Sequence, residues 1–227
     1  LFRNRTFVVV NAVGFLAGMA MFGSITFLPM YLQVAKGISP TSSALQLLPM
    51  MLGLIGASTL SGLFMTRTGR YRILPILSTA GLFIGMTLLG LMQTDTPDWQ
   101  VALYMLLVGA GIGPVNSVGV TATQNAVPRQ LMGVATAGVT LFRQIGGSIG
   151  VSVFGAIFSA GLAGGFNMQA IQAMPEAARL QAIEGFAMAL HPVFFTAAAA
   201  ALLAFALAFL LPELPLATSL RPEPRPE

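Results

Sequence analysis

The chain has 227 residues, 56% of them apolar and 8% charged, with no cysteine, one histidine and a formal net charge of +4. That balance excludes a water-soluble globular surface, thiolate metal sites, disulfides and cysteine nucleophiles, and His191 alone builds no metal cluster. The positive charge does not describe a nucleic-acid module, because the basic residues sit in gaps between apolar runs rather than on one solvated face. No metal, cofactor or nucleic-acid partner is expected.

Six segments, near 7–33, 43–65, 73–93, 99–124, 133–162 and 190–211, each reach the roughly 20 apolar residues that cross a hydrocarbon core about 30 Å thick. No charged residue interrupts Thr6–Ala35, Gly37–Thr66, Ile73–Thr94 or Trp99–Pro128. Helices apolar on every side belong in lipid or in a bundle interior. The predicted fold class is therefore all-α: a polytopic protein of the lipid bilayer with six transmembrane helices.

The first span follows "LFRNR", read as an opened inter-helix loop rather than a signal peptide, since the apolar run is too long and no convincing cleavage site ends it. On it, Asn11, Gly14, Phe15, Gly18, Met19 and Phe22 share one broad face, a candidate cavity lining. After the second span comes the loop "GLFMTRTGRYR". The third span leads to Asp95 and Asp98, with Trp99 opening the fourth where an indole favours the interface. On the fourth span, Gly109, Asn116 and Thr123 share a second candidate lining face. Pro29, Pro49 and Pro114 are expected to interrupt helices, leaving carbonyls for neighbours to satisfy.

The fifth span carries Arg143 within "TLFRQIGGSIGVSVFG", far from any other charge. Counting by three and four places Thr136, Val139, Thr140, Gly146, Gly147 and Gly150 on its stripe, with Leu141, Ile145 and Ile149 opposite. A lipid-facing charge at mid-membrane costs about 3 kcal/mol on insertion scales, so the stripe is expected to face protein or a wet cavity. Two readings stay open. With lipid entry at Leu131, Arg143 lies about 18 Å deep; with entry at Ala137, about 9 Å deep, it snorkels to the interface. Gln144 shares either role.

A surface helix is predicted from Pro175 through "EAARLQAIEGF", leading into the last span, and residues 212–227 are predicted to form a disordered cytoplasmic tail. Orientation follows from arginine. With both ends cytoplasmic, that side holds Arg3, Arg5, Arg67, Arg70, Arg72, Arg129, Arg221 and Arg225, against Lys36 and Arg179 outside. Pairs of small residues four apart (Gly14 and Gly18, Gly109 and Gly113, Gly146 and Gly150) predict close helix packing.

In the loop after the second span, Gly62, Phe64, Arg67, Gly69, Arg70 and Arg72 fit the hairpin signature of the major facilitator superfamily, with Thr66 where the acid belongs. Together with "FLPMYLQVAKGISPTSSALQLLPMMLG", "TQNAVPRQLMGVATAGVTLFRQIGGSIG" and "ALHPVF", the chain resembles the last six helices of the fourteen-helix drug:proton antiporters. The resemblance implies one half of a major-facilitator fold, in a plasma membrane of the bacterial inner-membrane kind. Its implied partners are the missing N-terminal half, a small-molecule substrate and protons. Because no Asp or Glu lies within the six spans, coupling acids are expected in that other half. The expected function is proton-coupled export rather than enzyme catalysis; the rival is a non-transporting scaffold or an inactive truncated product.

Overall fold

A computed structural model describes residues 1–162 and 175–213. Six helices among the described residues are long and apolar enough to cross a membrane. The first, α1 (Arg5–Ala35), starts where Asn4 Oδ1 accepts the N–H groups of Thr6 and Phe7, at 2.9 and 3.2 Å. The same amide donates to Ala126 O at 2.7 Å, so the cap also ties α1 to the far end of the fourth span.

The second span is made by α2 (Pro40–Leu45) and α3 (Leu48–Thr68), α2 being capped by Ser39. Pro49 falls in the first turn of α3 rather than interrupting a helix, which corrects the sequence expectation. In that turn the N–H that proline lacks would have had no intrahelical partner. Pro29 and Pro114 do sit inside helices. At its other end α3 stops at Gly69, whose φ of 68° favours glycine and whose N–H reaches Met65 O at 2.9 Å.

Next come α4 (Ile73–Gly90), α5 (Asp98–Asn125), a single 3-10 turn at Arg129–Leu131, α6 (Met132–Gly161) and α7 (Glu176–Ala208). The surface helix and last span predicted as two pieces are one continuous helix of 33 residues, with Pro192 inside it. At about 1.5 Å per residue it is roughly 50 Å long, so it outreaches the hydrocarbon core. The tail from residue 214 onward lies outside the described residues.

The first span packs on the fifth and sixth (α1 on α6 and α7), and the fourth packs on the second and third (α5 on α3 and α4). The two triplets of spans thus interlock by exchange, with α4 and α7 touching behind α1 and α5. The core between them is apolar: Leu28, Leu32, Leu82, Met86 and Phe194 are all but inaccessible. By contrast α3 and α6 are the open flanks, with only 17% and 28% of their most apolar stretch buried against 44–56% for the other spans.

Candidate functional site

Arg143 is half-buried, and its Nη1 donates to Asn116 Oδ1 on α5. Asn116 lies nine residues from the C-terminal end of α5 and Arg143 eleven from the start of α6. The helical rise of about 1.5 Å per residue puts each of them about 5–7 Å from the midpoint of its own helix. The guanidinium reaches sideways to a neighbouring helix, not along α6 to its end.

Small residues bring it there. A Cβ on Gly18 would stand 3.1 Å from Arg143 Cγ and from its carbonyl carbon, so α1 and α6 touch backbone to backbone beside the arginine. Above it, a Cβ on Gly146 would meet Phe15 C at 2.7 Å, and one on Gly150 would meet Met19 Cα at 2.7 Å. The ring of Phe22 lies over Gly147, within 2.8 Å of the same imagined atom. Phe15, Met19 and Phe22 are thus half-buried against α6. Gly14 differs: nothing stands within 4 Å of its Cβ position, so Gly18 alone carries the close approach of that pair. The stripe around Arg143 turns inward, with Val139, Gly146, Gly147 and Gly150 buried, while Leu141, Ile145 and Ile149 are 40–54% exposed.

Other sequence candidates fall elsewhere. Asn11 is enclosed at 4% exposure, its Nδ2 donating to Phe7 O at 2.6 Å and its Oδ1 without a partner. Thr123 is fully buried with an unpartnered hydroxyl, and Gly109 packs on α3, where a Cβ would meet Met50 C at 2.8 Å. The lining face drawn through Gly109 and Thr123 is therefore a packing face. Gly113 belongs to the same seam, 2.8 Å from Ser58 N by the same measure.

The polar surface that α5 does show was missed: Ser117, Thr121 and Gln124, half-buried beside Asn116. Gln124 Nε2 donates to Thr136 Oγ1 of α6 at 3.0 Å. Polar residues at i, i+1, i+5 and i+8 were the available signal. With Thr140 and exposed Gln144, Gln124 and Thr136 border a groove of about 980 Å³ whose floor is otherwise apolar, including Phe7 and Phe142.

The loop signature forms a compact turn. Arg67, Arg70 and Arg72 are exposed, Gly62 is half-buried, and Thr66 bonds back to Leu63 O at 2.9 Å instead of offering a carboxylate. Arg72 Nη2 donates to Phe209 O at 3.0 Å, and buried Tyr71 donates to Pro212 O at 2.9 Å, so the turn is fastened to the end of the last span. At the opposite end, Tyr31, Lys36 and His191 bond the backbone of Gln93, Thr96 and Met92, and Lys36 also pairs with Asp98. Side chains from α1 and α7 thus grip one connection.

The arrangement defines a polytopic helical bundle with a polar pair bridging two of its spans and two open flanks. The family model described as Major Facilitator Superfamily matches residues 1–151, and the chain belongs to that superfamily. It is similar to an uncharacterized MFS-type transporter of Mycobacterium tuberculosis, at 37% identity over 95% of this chain and 34% of the relative. A tetracycline resistance determinant of Streptomyces rimosus is 36% identical over 71% of this chain and 47% of its own length. A multidrug transporter of Bacillus subtilis is 34% identical over 70% of this chain and 29% of its own length. The chain spans about a third of the mycobacterial relative it matches.

Proposed function

We propose that the chain is the C-terminal half of a secondary active transporter that exports drug-like or other amphipathic small molecules in exchange for protons by alternating access. The observation that carries this reading is the bond between Arg143 and Asn116 inside the spans, beside a half-buried polar strip on α5. A static lipid-filled bundle has no use for a costly cation there. The printed names of the relatives, a multidrug transporter and a tetracycline resistance determinant, agree with export of such molecules. In this reading the open flanks α3 and α6 meet the other half, both ends of the chain are cytoplasmic, and the coupling carboxylates belong to that other half.

Vesicles provide the test. The chain alone drives no substrate-dependent proton flux, and flux of an amphipathic dye appears when the preceding half is reconstituted with it. Robust flux from the chain alone refutes the half-transporter reading. The orientation is checked with single cysteines: those at Thr68 and Gln130 react from the cytoplasm and one at Thr96 from outside, and same-side labelling of Thr68 and Thr96 overturns the six-span topology.

A further inference from the structure

Resting on that transporter reading, we infer that Arg143 is a receptor for a carboxylate brought from outside the six spans of this chain. The guanidinium carries five N–H donors, and among the described residues the acceptor found for it is the neutral amide oxygen of Asn116. No Asp or Glu occurs between residues 6 and 94 or between 99 and 175. Among the described residues the one ion pair, Lys36 with Asp98, sits at the opposite end of the bundle. A positive charge within the spans is left without a counter-charge among the described residues.

The local packing fixes where that counter-charge must approach. The backbone of Arg143 is pressed on Gly18, and its Cγ stands 3.1 Å from the glycine's Cβ position, so α1 closes one side. Asn116 holds one edge of the guanidinium against α5. Arg143 is not fully enclosed, so part of the guanidinium stays accessible beyond these two contacts. A planar fork of donors in a low-dielectric setting matches the two oxygens of a carboxylate, and an ammonium-bearing molecule would be repelled.

That carboxylate has two possible sources, a transported amphiphile or an acidic side chain of the other half, and the test separates them. The chain, with its arginines labelled with nitrogen-15, is placed in phosphatidylcholine nanodiscs and titrated with decanoate or with decyltrimethylammonium, which differ mainly in head-group charge. Loss of one guanidinium signal in Arg143→Lys assigns the resonance. Decanoate is expected to shift it saturably, while decyltrimethylammonium leaves it in place. In a second arm the other half is added without decanoate; a shift there that also abolishes decanoate binding assigns the carboxylate to a side chain.

No shift in either arm, or equal shifts with the anion and the cation, overturns the inference. The comparison of the two detergents' head groups on the unaltered chain needs no variant to fold. Failure of the vesicle flux assay with the decanoate shift intact counts against the transporter reading alone. Normal flux with no carboxylate effect counts against this site alone.

Discussion

Two seams hold the bundle together, and they use small residues differently. Between α3 and α5, glycines from both helices put backbone on backbone: a Cβ on Gly53 would meet Ala110 N at 2.9 Å, and one on Gly109 would meet Met50 C at 2.8 Å. Neutral hydroxyls close this seam, Ser61 Oγ lying 2.7 Å from Ser117 Oγ. Between α1 and α6 the glycines again admit backbone, at Gly18 and Gly146, but they also admit rings, Phe22 over Gly147 and Phe154 over Gly23. A charge crosses from this seam to Asn116. In lipid the hydrophobic effect does not choose between a helix and a lipid tail, so close contact and polar bonds choose instead. The α3–α5 seam is closed by a bond between neutral hydroxyls; the α1–α6 seam leaves guanidinium donors over.

The largest effect is expected where backbone meets backbone. Gly109→Ala pushes a methyl group into the Met50 carbonyl, which no rotamer change relieves, and should destabilise the chain by about 3 kcal/mol. A fall in its melting temperature in detergent, with loss of membrane abundance, would register this. An unchanged melting point would mean the α3–α5 seam is looser than described.

Intermediate effects separate the polar bonds of the two seams. A double-mutant cycle of Arg143→Ala with Asn116→Ala should give a coupling of about 2 kcal/mol, since one partner is charged. The Ser61→Ala and Ser117→Ala cycle should give about 0.6 kcal/mol, the usual size for neutral bonds between membrane helices. Equal couplings in chemical unfolding would erase the distinction between the seams.

The smallest effect is expected at Gly14, where a methyl group enters open space. Gly14→Ala should be neutral or stabilise α1 by about 0.5–1 kcal/mol through the unfolded state. A melting temperature that falls as far as in Gly109→Ala would show that the space is not there. Gly14 and Gly109 look alike as members of small pairs, and only their neighbours tell them apart.

The presence of six membrane-length helices was legible in the sequence because crossing a bilayer is a requirement on each segment by itself: enough consecutive apolar residues, with every backbone group bonded inside the helix. The turn at Gly69 was legible for a similar reason, being a local matter of backbone conformation. The inward stripe around Arg143 was visible too, because Leu141, Ile145 and Ile149 mark its opposite side.

The sequence by itself determined that this chain is a helical membrane bundle with one unpaired charge in a small-residue stripe, since each of those properties is written in composition and spacing along one strand of chain. Only the tertiary structure decided that Arg143 bonds Asn116, that Thr123 is sealed while Thr121 is half-open, and that Gly18 rather than Gly14 takes the close contact. It also decided that the last span continues without a break from Glu176. The physical reason is common to the three choices of contact. A helix that is apolar on nearly every side carries no directional signal of its own, so its partners are selected by interlocking shape and by which polar groups meet across the seam.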